Sequence, residues 1–387
     1  MSDELFSLID DWGPEKIVCV SDSRTRMRGV LVLDNTARGT GKGGTRMGPA
    51  VTVTEIARLA RTMTWKWAAV DLFHGGAKAG IVADPHADNK EAVLRAFARA
   101  LSNEVPREYV LGLDMGLSEP DAAIFLDELG DRGASVGLPT ALGGLPYDEL
   151  GVTGFGVAEA ADAAAGETGL RLAGARVVIQ GFGAVGTAAA ARFAELGATV
   201  VAVSTTTGAV YAPDGLDIER LRGLHAELGE DCVRAYGGKQ LDAGAELAVD
   251  TDVLVPAATQ DVIDPTVARD VTARLVVEGA NLPTTPEARL ALSARGITVV
   301  PDFIANAGGV VAAAYAMDAR YSAFRPELEQ VFASISDKLR SNVATVLERS
   351  RALKVSTHQA ALQQAQDRVR EAMRLRGRLP VTQGGQR

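Results

Sequence analysis

The chain is poor in the residues that build specialised scaffolds. Cysteine occurs twice in 387 residues, at Cys19 and Cys232, so neither a disulfide framework nor a zinc cluster is implied. The four histidines, His74, His86, His225 and His358, show no ligand spacing, and no metal site is expected. Aromatics make up 5% of the chain; its core must come mostly from aliphatic side chains, and the 47% hydrophobic content is ample for that. Positive charge is not in excess. The formal net charge of −9 gives a nucleic-acid backbone or an anionic membrane surface nothing to attract it. No apolar run reaches membrane-spanning length, and Met1-Ser2-Asp3-Glu4 lacks the basic start and apolar stretch of a secretory signal. These absences lead to the expectation of a soluble protein of the cytoplasmic type, with two or three domains on its length.

What the chain does have is glycine, 41 residues of it, and patterned aliphatic segments on either side of a glycine-rich stretch. In the first half, β-branched runs at 16–20 and 28–33 read as strands, and helical periodicity runs from 53 to about 70. A strand at 79–82 stops at Asp84-Pro85, a helix covers roughly 90–102, and Tyr109-Val110-Leu111 reads as a strand ending at Asp114. Ser118-Glu119-Pro120-Asp121 supplies a capping serine, a first-turn proline and acidic residues at the positive end of a third helix. Glycines crowd between 143 and 156, which places a hinge there. The second half is a βαβ series, with further buried strands at 253–255, 275–277 and 298–300, and residues 382–387 read as a frayed polar tail. No internal repeat is present.

One βαβ unit carries a dinucleotide fingerprint. Arg176-Val177-Val178-Ile179-Gln180 leads into Gly181-Phe182-Gly183-Ala184-Val185-Gly186, then an alanine-rich helix, then a strand at 198–203. A glycine turn opening a helix can be purely structural. In this strand–turn–helix–strand context, however, Gly181, Gly183 and Gly186 let the backbone approach a pyrophosphate seated on the helix N-terminus. That implies NAD or NADP. The second strand ends Val203-Ser204-Thr205-Thr206-Thr207-Gly208, where an acid would hydrogen-bond a ribose 2′-hydroxyl and repel a 2′-phosphate. Neutral hydroxyls at Ser204 and Thr205 remove that repulsion and can donate to phosphate oxygens, although no arginine stands beside them in the sequence. The balance tips slightly to NADP.

The run from Met63 to Gly80 sets two lysines one segment apart, Lys66 and Lys78, and Gly75, Gly76 and Gly80 read as a glycine-rich turn around the second. A desolvated lysine has a lowered pKa and can supply a neutral amine as a base near pH 7. Taken alone, a lysine in such a turn is as often an exposed surface residue.

Its company resembles the signature of the glutamate/leucine/phenylalanine/valine dehydrogenases, and of their glutamate branch in particular. The resemblance runs in order through Gly41-Lys42-Gly43-Gly44-Thr45-Arg46, the Lys66–Lys78 run, Leu113-Asp114-Met115-Gly116, Val152-Thr153-Gly154-Phe155-Gly156-Val157 and the dinucleotide turn. It closes with Val277-Glu278-Gly279-Ala280-Asn281-Leu282-Pro283 and Asp302-Phe303-Ile304-Ala305-Asn306-Ala307-Gly308-Gly309, and so spans most of the chain. The family implies an α/β substrate and catalytic domain over 1–142, completed by C-terminal helices within 309–387, and a Rossmann domain over 143–308. It implies Lys78 as the catalytic lysine, Asp114 as its acid/base partner and Lys66 as the anchor of the substrate α-carboxylate. Thr153 and Asn281 match positions contacting the nicotinamide ribose or carboxamide, though capping or turn roles stay open for both. Asn306 matches a segment lining the substrate site. A homo-oligomer is expected.

Substrate choice pulls two ways. Lys42 matches the lysine that glutamate enzymes use for the side-chain carboxylate, where the aliphatic branch is apolar. Ala313 stands where those enzymes carry a serine, Leu138-Pro139 replaces a Lys-Pro pair, and the basic residue usual near Tyr147-Asp148 is absent. The favoured reading is reversible oxidative deamination of glutamate or a related acidic amino acid. A leucine/valine/phenylalanine-type dehydrogenase is the alternative. An inactive dinucleotide-binding regulatory protein is a third, opposed by the retention of Lys66, Lys78 and Asp114 together.

Overall fold

The computed structural model describes residues 5–146 and 149–379. The readings made on Met1 to Glu4, on Tyr147-Asp148 and on the 382–387 tail lie outside the described residues. Two compact units emerge: 1–146 with 313–327 and 364–387, and 147–312 with 328–363.

In the first unit, strands β1 (Lys16–Asp22), β2 (Met27–Asn35), β3 (Gly41–Lys42) and β4 (Thr45–Met47) precede helix α1 (Val53–Ala69). Strand β5 (Gly75–Ile81), helix α2 (Lys90–Ala100), strand β6 (Tyr109–Val110) and helix α3 (Glu119–Leu129) follow. The sheet order is β1-β2-β5-β3-β6, with β4 also pairing β5. Side chains alternate along β5 as the pleat requires. Ala77, Ala79 and Ile81 join Leu31, Phe97, Tyr109 and Phe125 in one core, while Val30 and Val32 on the other face of β2 pack with Ile56, Ala57 and Ala60 of α1. α1 starts where the Thr52 hydroxyl accepts from Glu55 N–H at 3.2 Å. Its last carbonyls, those of Ala68 and Ala69, accept from Arg368 at 2.8 and 2.7 Å.

The expected glycine turn around Lys78 is corrected. Gly75, Gly76, Lys78 and Gly80 all lie within β5. A Cβ on Gly76 would collide with Thr64, and one on Gly80 would meet Ile56 at 2.8 Å. These glycines exist so that α1 can lie against the strand, which seals the ground on either side of Lys78.

The second unit opens with α4 (Val152–Glu167), then β7 (Arg176–Gln180), α5 (Ala184–Glu195), β8 (Thr199–Thr205) and β9 (Gly208–Tyr211). α6 (Ile218–Leu228), α7 (Cys232–Tyr236), β10 (Lys239–Leu241), β11 (Val253–Pro256), α8 (Val267–Asp270), β12 (Leu275–Val277), α9 (Pro286–Ala294) and β13 (Thr298–Val300) follow. The sheet order is β10-β9-β8-β7-β11-β12-β13. β8, β7, β11, β12 and β13 are parallel, and the β9–β10 edge is antiparallel. This is the doubly wound arrangement of a dinucleotide-binding domain.

α10 (Asp302–Ala305), α11 (Gly308–Ala319), α12 (Leu328–Leu353) and α13 (Thr357–Leu375) complete the chain. Sequence assigned 309–387 as a block to the first domain, whereas the compact units share it between them. α12 belongs with α4: the buried Glu159 carboxylate accepts from Arg192 at 2.8 Å, Ser336 at 2.5 Å and Arg340 at 2.6 Å. Phe155 and Phe332 meet edge-on beside it, centroids 4.8 Å apart. A buried carboxylate with so many donors holds its helices in one register. Among the described residues no helix is long and apolar enough to cross a membrane.

Candidate active site

Lys78 projects from the middle strand of the first unit, its side chain 7% exposed, and forms an ion pair with Asp114. Asp114 follows β6 in a loop; its other oxygen accepts from Arg46 Nε at 3.0 Å and from the Met115 N–H at 2.7 Å. Arg46 is itself held by Glu55 at 2.6 Å. Burial alone would raise the Asp114 carboxyl, but Lys78 and Arg46 outweigh it and keep it below the usual carboxylate range. The two form an ion pair, clamped from the far side by an arginine that cannot titrate.

Lys42 lies in β3, registered against Gly76 of β5 and Val110 of β6. It is 4% exposed. Its ammonium donates only to the carbonyls of Val110 and Leu111, at 3.3 and 3.4 Å, with no carboxylate in ion-pair reach among the described residues. Burial, then the nearby charges of Arg320 and Lys78, push it down from 10.5 to about 7. Trp67 of α1 braces this corner, donating from Nε1 to the Lys42 carbonyl at 3.1 Å and stacking edge-on against His74, centroids 4.8 Å apart. His74 is half-buried and driven down by desolvation to about 4, and its Nδ1 has no partner among the described residues. Lys66 occupies the last turn of α1 and is half-buried. Ala313 is buried in α11, and Arg320 just beyond that helix donates to the carbonyls of Gly133 and Met317 at 3.1 and 2.8 Å.

In the second unit the turn between β7 and α5 has the features a pyrophosphate needs. Gly181 has φ +92°, and a Cβ there would meet Ala258 at 2.7 Å. A Cβ on Gly186 would collide with the Gly181 carbonyl, so α5 closes directly onto the turn. Gly183 is different: nothing lies within 4 Å of where its Cβ would be. No packing demand explains glycine at that exposed position, but a ligand drawn close to the backbone does. No side chain caps the N-terminus of α5, so its first amides are open to an anion. Phe182 is buried, while Ala184 is exposed and Val185 half-buried. These residues fit a dinucleotide.

Ser204 at the end of β8 accepts from the Gly181 N–H at 3.1 Å, which ties the strand end to the turn. Thr205 departs from expectation. It is 8% exposed, and its hydroxyl is donated inward to the Glu230 carbonyl at 2.7 Å rather than being offered to a phosphate. Asn306 donates to the Gly279 and Ala280 carbonyls and to Asn281 Oδ1, at 3.2, 3.3 and 3.1 Å, so it shapes the loop that carries Asn281. Behind that loop Glu278 is buried and raised by burial and by Asp302. Thr153 is half-buried in the first turn of α4, beside Gly309.

The structure thus joins Lys78 with Asp114, sets Lys42 beside them, and joins Asn281 with Asn306. Three contributors escaped the sequence reading. Arg46 stood inside a quoted motif without a role, Arg320 gave no local signal, and Glu230 lies 24 residues beyond the threonine it meets.

Comparison with known proteins then places the chain. A family model described as glutamate/leucine/phenylalanine/valine dehydrogenase matches residues 143–377, and one described as the dimerisation domain of those enzymes matches 15–130. A glutamate dehydrogenase from Thermotoga maritima is 36% identical over 366 residues, covering 91% of this chain and 87% of its own. An NAD-specific glutamate dehydrogenase from Staphylococcus aureus is 35% identical over 353 residues, covering 89% and 84%. The crystal structure of a hetero-hexameric glutamate dehydrogenase from Thermus thermophilus in a Leu-bound form is similar at TM-score 0.82 and 33% identity, covering 95% of this chain and 91% of that one.

Proposed function

The chain belongs to the glutamate/leucine/phenylalanine/valine dehydrogenase family and is an amino-acid dehydrogenase dependent on NAD or NADP; we propose that its substrate is an acidic L-amino acid, glutamate first, and its cofactor NAD. What supports the acidic substrate is Lys42. A buried cation with two backbone carbonyls and no carboxylate is costly until a ligand supplies the missing charge. What supports NAD is the inward-turned Thr205 hydroxyl, together with a relative named NAD-specific.

The roles proposed for each group combine the family resemblance with where the group lies. The dinucleotide supplies the hydride acceptor. Gly181, Gly183, Gly186 and the open amides of α5 hold its pyrophosphate, with Phe182, Ala184 and Val185 shaping the turn and Thr153 and Asn281 serving the nicotinamide end. Lys66 anchors the substrate α-carboxylate and Lys42 the distal one; together they orient the Cα hydrogen. Once the hydride has left Cα, the substrate iminium needs water. Lys78 takes a proton from that water, and Asp114 returns one to the departing ammonia. Arg46 keeps the Asp114 carboxylate aimed at Lys78.

An aliphatic substrate is the second reading, and one observation favours it: buried Ala313 presents a methyl where a hydroxyl would serve a carboxylate. The test is absorbance at 340 nm with glutamate, aspartate, leucine, valine and phenylalanine, each with NAD and NADP. The acidic reading fails if leucine, valine or phenylalanine outruns glutamate. Assembly into a homo-oligomer, proposed from the matched dimerisation domain, is checked by light scattering.

A further inference from the structure

The end of β8 has no acidic residue of its own, yet a carboxylate stands there. Glu230 lies in the short turn between α6 and α7. Its Oε2 accepts from the Thr206 N–H at 2.9 Å and from Thr206 Oγ1 at 3.2 Å. Its backbone carbonyl accepts from Thr205 Oγ1 at 2.7 Å and Thr207 Oγ1 at 2.9 Å. Three consecutive threonines are thus spent on fixing one glutamate. Its second oxygen, Oε1, accepts no hydrogen bond among the described residues, and the residue is exposed.

Both ends of this arrangement are locked to the glycine turn. Gly181 donates to Ser204, directly before the threonines. The Phe182 ring meets His225 of α6 edge-on, centroids 5.7 Å apart, and α6 leads into Glu230. In a fold of this topology the adenosine ribose lies at the end of the second strand, one step from the pyrophosphate turn.

We propose that Glu230 is the residue that selects the cofactor: its Oε1 accepts from the ribose 2′-hydroxyl of NAD, and its charge excludes the 2′-phosphate of NADP. The acid that such strands carry at their own tip is here delivered from a separate turn and buttressed by hydroxyls in its place. This rests on the reading that the glycine turn holds a dinucleotide. The cation best placed to argue for NADP is Arg234, which lines a surface pocket with Thr207 but is directed 3.5 Å from Asp231. A phosphate of roughly −1.5 to −2 charge facing a carboxylate about 4 Å away loses about tenfold or more in affinity even in water-like surroundings.

The experiment measures dissociation constants of NADH and NADPH by calorimetry on the purified full chain, for wild type, Glu230→Gln, Glu230→Lys and Arg234→Ala. Wild type should bind NADH at least about tenfold more tightly than NADPH. Glu230→Gln keeps an acceptor for Thr206 but no charge, so the ratio should fall to within about threefold, mainly through tighter NADPH. Glu230→Lys should invert the ranking, and Arg234→Ala should leave it as in wild type. If both dinucleotides bind but neither Glu230 variant moves the ratio, or if wild type prefers NADPH, Glu230 is not the selector and the dinucleotide site still stands. If wild type binds neither, the reading of the glycine turn falls and the selector with it.

Discussion

Replacing Lys42 by methionine removes a buried cation while keeping most of its volume, and the consequences can be worked out from its surroundings. Lys42 is held down from 10.5 to about 7 in the fold, chiefly by burial. Between those two values the unfolded chain binds a proton that the folded chain does not, so this residue makes ligand-free stability rise with pH across that window. The cost of the charge is present in full below about pH 7 and fades as pH climbs toward 10.5. At 1.36 kcal/mol per pH unit the whole effect is about 5 kcal/mol. Lys42→Met should therefore be several kcal/mol more stable than wild type near neutrality, with the difference closing near pH 10 in a series of denaturant melts. Function should move the other way. Losing a charge-assisted bond to the distal carboxylate costs about 1.5–3 kcal/mol, a rise in KM for glutamate of roughly 10- to 150-fold, with leucine improved. Only protonated Lys42 receives that carboxylate, so wild-type kcat/KM for glutamate should carry a descending limb above about pH 7 that the variant lacks. A stability difference that stays flat with pH, together with an unchanged KM, would refute the reasoning on both counts.

Lys78→Ala should lower kcat by about 10²–10⁴-fold while calorimetric dinucleotide affinity holds, and near-normal turnover would remove Lys78 from the chemistry. Gly183→Ala should melt like wild type yet bind dinucleotide more weakly, because its Cβ meets only open space. Gly186→Ala should lose thermal stability outright, since its Cβ collides with the Gly181 carbonyl. Equal melting curves for the two would contradict the assignment. Ala313→Ser should lower KM for glutamate by about tenfold or more through one hydroxyl-to-carboxylate hydrogen bond, and an unchanged KM would place that helix face away from the distal carboxylate.

Much of the architecture was legible because its signals are local. The capping serine and proline of α3, the periodicity of α1 and the strand–turn–helix–strand around Gly181 each depend on residues within a turn or two of one another. The misreadings share one cause, a partner far away in sequence. Gly75, Gly76 and Gly80 read as a turn because glycine is the usual turn residue; what requires Gly76 and Gly80 is helix α1 lying across the strand, and what requires Gly75 is the backbone at Asn35, Thr36 and Gly39. Thr205 reads as an open hydroxyl in the sequence because its acceptor is 25 residues on. Arg46 reaches Asp114 across 68 residues, so its motif was visible while its task was not. The C-terminal helices look alike by periodicity, and only the donors gathered by buried Glu159 assign α12 to the second unit.

The order in which the chain is made has a consequence written into that division. Residues 1–146 hold every strand of the first unit, together with Lys42, Lys66, Lys78 and Asp114, but the unit also needs 364–387. Arg368, which ties off the carbonyls at the end of the lysine-bearing α1, is among those late residues. At about 5–20 residues per second the ribosome takes roughly ten to forty seconds to travel from one part to the other. The second unit ends at residue 363, so the half that starts later is complete earlier. A nascent chain arrested just after residue 363 has emerged would carry a complete second unit while the sheet of the first still waited for the helix that ties off α1.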